Sequence, residues 1–207
     1  GLAMFDARLR PLIDPPLNAA GRWLSQRGVN ANALTVAGLV MGLAAAVAIS
    51  QRCFALALAL IVANRLFDGL DGAVARVRGP SDFGGYLDSL CDFAFYIAVP
   101  VGFAIATPAN ALPAAILIAS FTITGTSFLA FAAIAAKRGL ETNAHGTKSF
   151  FYSTGIAEGA ETIAVFIAMA LFPAYFGLIA YAYAALCLLT VMQRSWLAWR
   201  LFGPSRG

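Results

Sequence analysis

The chain has 207 residues, 60% of them hydrophobic and only 12% charged, with a mean hydropathy of +0.78. A soluble domain is about one quarter charged, so this composition excludes a water-solvated fold and implies that lipid surrounds most of the chain. The net charge of +4 would suggest nucleic acid in a soluble protein. Here the basic residues fall between hydrophobic runs, where membrane orientation and anionic headgroups account for them, and no nucleic-acid partner is expected.

The first residues, Gly1 to Ala3, read as a remnant ahead of a native Met4. Residues 5–30 hold no continuous apolar core, so no cleavable signal peptide is expected there. Residues 5–29 form an amphipathic pattern: Phe5, Leu9, Leu12, Ile13, Leu17, Trp23 and Leu24 can face a bilayer while the arginines face water and phosphates. The Pro15-Pro16 pair is expected to interrupt any single helix in this segment.

Apolar runs follow at residues 33–50, 54–77, 84–107, 111–136, 150–172 and 175–201. The predicted fold is all-α: a polytopic membrane protein of about six transmembrane helices, each needing roughly 20 apolar residues. An N-terminal amphipathic interfacial helix precedes them. Residues 1–31 form the interfacial segment and residues 32–207 the transmembrane domain. With the N-terminus in the cytoplasm, one side collects Arg8, Arg10, Arg22, Arg27, Arg76, Arg78, Lys137, Arg138, Lys148, Arg194, Arg200 and Arg206, and the other only Arg52. That asymmetry predicts both termini inside. Trp23, Trp196 and Trp199 then lie near cytoplasmic ends, where indoles favour the interface. Gly38-x-x-x-Gly42 and Gly155-x-x-x-Gly159 permit close helix approach, and packing within one subunit is preferred to a dimer face. Cys53, Cys91 and Cys187 have no paired or metal-type spacing, so free thiols are expected.

The second and third runs carry charges that lipid does not explain: Arg65, Asp68, Asp71 and Arg76, then Asp88 and Asp92. A carboxylate within a membrane costs several kcal/mol and is kept mainly where it lines a polar cavity or holds an ion. Asp68 and Asp71 are three apart and Asp88 and Asp92 four apart, so each pair occupies one helix face. A turn at Gly79-Pro80 makes the two helices antiparallel neighbours, and all four acids can converge. Divalent cations relieve the repulsion, and all-oxygen ligation suits hard ions such as Mg²⁺, Mn²⁺ or Ca²⁺. Gly72 and Ala75 offer a small-residue surface beside the acids, and Arg76 a fork of donors for phosphate. The combination reads as a site for a pyrophosphate nucleotide at the cytoplasmic end of its helices. The competing reading merely pairs the acids with Arg65, Arg76 and Arg78.

The stretch Asp68-x-x-Asp71-Gly72-x-x-Ala75-Arg76, continued by Gly84-x-x-x-Asp88-x-x-x-Asp92, resembles the signature of the CDP-alcohol phosphotransferase (CDP-alcohol phosphatidyltransferase) family. The connection 77–83 is one residue shorter than in many members. The resemblance implies a CDP-linked lipid donor, CDP-diacylglycerol first, and transfer of its phosphatidyl group to a hydroxyl acceptor with release of CMP in phospholipid biosynthesis. It implies one or two Mg²⁺ or Mn²⁺ ions on Asp68, Asp71 and Asp88, with Asp92 close enough to contribute and also the candidate general base. Gly72, Ala75, Arg76 and Gly84 are the corresponding nucleotide and phosphate contacts. A homodimer in the cell (inner) membrane, with the catalytic site on the cytoplasmic side, completes the expectation.

The acceptor is a small alcohol or a lipid. Lys137, Arg138, Lys148 and the single histidine, His145, are candidates for a phosphorylated acceptor or else topology determinants. Glu158 and Glu161, three apart within a run, favour an amino- or polyhydroxy-alcohol. A divalent-cation transporter would also collect acids, and a non-catalytic membrane scaffold is the third reading. The transporter would not need Gly72, Ala75 and Arg76 at their spacings, and the scaffold requires that the shortened connection 77–83 has ruined the site.

Overall fold

The computed structural model describes residues 3–139 and 159–203, with side chains from residue 15 onward. These residues form α1 (Ala3–Gln26), α2 (Ala31–Ser50), α3 (Phe54–Arg78), α4 (Asp82–Ala106), α5 (Ala111–Lys137), α6 (Gly159–Leu171) and α7 (Phe176–Phe202). Short 3₁₀ turns at Pro108–Asn110 and Pro173–Tyr175 precede α5 and α7, and no strand occurs among the described residues.

Helix boundaries follow local chemistry. The Asn30 side chain caps α2 by accepting from the Asn32 N–H at 3.0 Å, and Ser81 caps α4 by accepting from the Gly84 N–H at 3.0 Å. Gly79 ends α3 at φ +94°, a conformation that a Cβ disfavours. Pro80 follows, and the chain reverses into α4.

The Pro15-Pro16 expectation is corrected: α1 is one continuous helix through both prolines. Each proline removes a backbone donor, but the half that follows is held by tertiary contact. A Cβ at Gly21 would stand 2.6 Å from Ala73 Cβ, and one at Gly69 would meet Leu17 Cδ1 at 3.1 Å. Docking on α3 outweighs local propensity.

Among the described residues, four helical segments are long and apolar enough to cross a membrane: Ala31–Ser50, Asp82–Ala106, Pro108–Lys137 and Pro173–Phe202. α3 is as long as α4 but carries five charged side chains from Arg65 onward (Arg65, Asp68, Asp71, Arg76 and Arg78). The described part of α6 is too short at 13 residues, because residues 150–158 of that predicted run lie outside the described residues.

α2 packs against both α3 and α4, α5 against α4 and α7, α6 against α3, and α1 against α3. One aromatic core joins these helices. Phe103 stacks on Phe176 with centroids 4.4 Å apart, and Phe95 meets Phe166 edge-on at 5.5 Å. Lipid gives no hydrophobic drive for helices to meet, so close approach depends on small residues. Gly42 faces the Phe95 ring, Gly38 faces Phe67 and Gly102 faces the Ala46 carbonyl. The Gly38/Gly42 pair therefore serves packing within the chain. Gly159 lies against the Tyr96 hydroxyl; Gly155 lies outside the described residues.

Candidate active site

Antiparallel α3 and α4 bring their acidic faces together beside α2. Carboxylate oxygens of Asp68, Asp88 and Asp92 lie within 4.8 Å of one another. Asp71 lines the same cleft, whose empty volume is about 230 Å³. Its Oδ2 accepts the Thr35 hydroxyl of α2 at 2.6 Å. The shortened connection 77–83 leaves this convergence intact.

The cluster is fixed by polar contacts on the same level. Arg65 Nη2 donates to Asp92 Oδ1 at 3.0 Å, and Nη1 stands 3.4 Å from Asp68 Oδ2. Arg65 Nε donates to Asn64 Oδ1 at 2.8 Å, and Asn64 Nδ2 donates to the Gly38 carbonyl at 2.7 Å. A chain of bonds thus runs from the α2 backbone through Asn64 and Arg65 to Asp92. One guanidinium cannot neutralise four carboxylates. The remaining negative charge and the oxygen-only donor set fit a hard divalent cation.

Of the arginines considered as ion-pair partners for the acids, Arg65 takes that part. Arg76 and Arg78 turn to α1 instead, Arg76 bonding Asn18 and Arg78 bonding Ser25. Gly72 sits under the Arg76 guanidinium, with Nη1 3.4 Å from where a Cβ would stand. Ala75 is half-buried one turn beyond Asp71. Gly84 belongs to the start of α4. Its N–H meets the Ser81 cap, and a Cβ there would lie 3.4 Å from Asn32 Oδ1 at the start of α2.

The acceptor candidates do not line the cleft among the described residues. Lys137 ends α5, and Arg138 donates to the Leu201 and Phe202 carbonyls at 3.2 and 3.1 Å. Those bonds satisfy the last carbonyls of α7. Glu161 lies in the first turn of the described part of α6; His145, Lys148 and Glu158 lie outside the described residues.

Thr35, Asn64, Asn18 and Ser25 were not singled out by sequence. For Asn64 a signal existed: residues 64, 68 and 71 share one helical face at i, i+4, i+7. For Thr35 and Asn18 no local pattern pointed to partners on another helix.

The sequence profile described as CDP-alcohol phosphatidyltransferase matches residues 29–199, a range that spans α2 to α7. The chain belongs to this family. It is an enzyme of phospholipid synthesis that transfers a phosphatidyl group from a CDP-linked lipid. It is 44% identical over 194 residues to "Inner membrane protein YnjF" of Escherichia coli (strain K12), covering 93% of this chain and 94% of that protein. It is 36% identical over 87 residues to an archaetidylinositol phosphate synthase of Pyrococcus horikoshii, covering 42% of this chain and 46% of the relative. The fold resembles crystal structures of Mycobacterium tuberculosis phosphatidylinositol phosphate synthase (PgsA1). The structure with CDP-DAG bound superposes with a TM-score of 0.64 at 24% identity, covering 88% of this chain and 93% of that one. The complex with manganese and citrate gives 0.63 at 23% identity, covering 88% of each chain.

Proposed function

We propose that the donor is CDP-diacylglycerol and that its phosphatidyl group passes to a small alcohol or lipid acceptor, releasing CMP. The reaction would lie on the cytoplasmic side of the inner membrane, in a protein of six spans with an interfacial α1, working as a homodimer. The observation that carries this reading is the meeting of Asp68, Asp88 and Asp92, with Asp71 alongside and the Gly72–Ala75–Arg76 surface on the next turns of α3.

Asp68, Asp71, Asp88 and Asp92 are the residues that would hold one or two Mg²⁺ or Mn²⁺ ions. Such an ion, when bound, neutralises charge developing on the transferred phosphoryl group and aligns the attacking and leaving oxygens. Arg76 meets a phosphate of the donor, and Gly72 and Ala75 let the cytidine lie close to the helix. Asp92 accepts the proton of the acceptor hydroxyl. Its Oδ1 is engaged by Arg65, which fixes the carboxylate plane. The new P–O bond forms to the acceptor as the bond to the CMP oxygen breaks. Glu161, Glu158, Lys137 and Lys148 stay the acceptor candidates, whereas Arg138 is committed to α7.

The test is CMP release by the purified protein supplied with CDP-diacylglycerol, Mg²⁺ or Mn²⁺, and a panel of acceptors: serine, glycerol 3-phosphate, inositol, inositol phosphate and phosphatidylglycerol. Metal-dependent release with one acceptor is expected. Silence with nucleotide still bound places the acceptor outside the panel; silence without nucleotide binding overturns the reading.

A further inference from the structure

Arg76 does not stand alone at the end of α3. Its Nε and Nη2 both donate to Asn18 Oδ1, at 3.3 and 3.0 Å, while Nη1 lies over Gly72. Two of the three guanidinium nitrogens are thus fixed by α1, and the third is directed along the small-residue surface. The support is extended. Arg78 Nε donates to Ser25 Oγ at 3.2 Å and Nη2 to the Ser25 carbonyl at 2.8 Å. Gly21 and Leu17 seat α1 on Ala73 and Gly69.

We propose that Asn18 is a positioning residue for Arg76, orienting its guanidinium toward a phosphate of a cytidine diphosphate group, so that α1 completes the active site. This rests on the reading above in which Arg76 contacts the donor phosphate. Asn18 lies before residue 29, where the family match begins, and outside the acid-and-arginine signature. An amide oxygen suits this role because it accepts from the guanidinium without cancelling its charge. A carboxylate in the same place would hold Arg76 more strongly but would compete with phosphate for it.

The experiment measures CDP binding to the full-length purified protein in the presence of Mn²⁺ by calorimetry, together with thermal stability. Asn18→Ala is expected to weaken CDP binding about tenfold, the scale of one hydrogen bond to a charged group. Asn18→Asp is expected to keep or raise the Tm and still weaken CDP binding. In an Arg76→Ala background, Asn18→Ala should cause no further loss, because the residue acts only through Arg76. Unchanged binding in Asn18→Ala would overturn the proposal. So would equal losses in the wild-type and Arg76→Ala backgrounds, or wild-type-like affinity in Asn18→Asp, which would leave Asn18 as an anchor for α1. A wild-type protein that binds no CDP with metal present would instead remove the donor assignment itself, and this inference with it.

Discussion

Each of the central helices carries one inward stripe whose two halves differ in chemistry. On α4 the stripe runs Asp88, Asp92, Phe95, Val99, Phe103; on α3 it runs Asp71, Asp68, Asn64, Ile61, Ala57. The apolar half is closed: Phe95, Val99, Ile61 and Ala57 are fully buried, and Phe103 nearly so. The acidic half opens at Asp68 and Asp92, with side-chain exposures of 37% and 29%, while Asp71 and Asn64 beside them are buried and hydrogen-bonded to α2. The same helix spacing thus builds a close-packed foundation and, a few turns along, a cleft of like charges that gains nothing from packing. The foundation holds repelling carboxylates at fixed separation, a role common for sites whose function conflicts with stability.

With the stripe divided in this way, substitutions in the two halves separate activity from stability. The largest effect on turnover is expected from Asp88→Asn. Metal-dependent CMP release should fall at least about a thousandfold, the scale of several kcal/mol that a bound cation contributes. The Tm without metal should stay level or rise, because one of the mutually repelling charges is gone; a lower Tm would place Asp88 in the structural half. Next, Phe103→Ala should destabilise the detergent-solubilised protein by about 3–5 kcal/mol, through loss of a buried ring and the cavity left behind. Below its lowered Tm the variant should keep metal binding, and loss of metal binding while folded would deny the division.

Thr35→Val addresses the seam between the halves. It removes the 2.6 Å bond to Asp71 at nearly constant volume, and should lower turnover about tenfold, as expected for one bond to a charged group. The Tm should fall by a few degrees as well, because a buried carboxylate oxygen loses its donor, and a variant with full turnover would mean that Asp71 holds its position without α2. The smallest effect belongs to Arg52→Gly at the far end of α2. Arg52 has φ 60° and donates from Nε and Nη2 to the Ala106 carbonyl at 3.1 and 2.7 Å. Glycine relieves the left-handed backbone while losing both bonds, so stability should shift by no more than about 0.5 kcal/mol, with activity untouched.

Much of the molecule was legible in the sequence because it depends on short-range spacing. Composition set the membrane class. Helix periodicity put Asp68 with Asp71 and Asp88 with Asp92, and the Gly79-Pro80 turn reversed the chain between them; the expectation that these helices are packing neighbours is corrected, because α3 and α4 each pack on α2 and the acids converge where α2 holds both. Periodicity also assigns a residue to a face, but it does not say which distant helix that face meets. Only the tertiary structure decided that Thr35 reaches Asp71, that Asn64 ties Arg65 to the α2 backbone, and that Arg138 serves the end of α7 rather than the cleft. It decided, too, that α1 continues through Pro15 and Pro16. Local propensity argues for a break there, and the contacts of Leu17, Gly21 and Asn18 with a helix more than 50 residues away outweigh it.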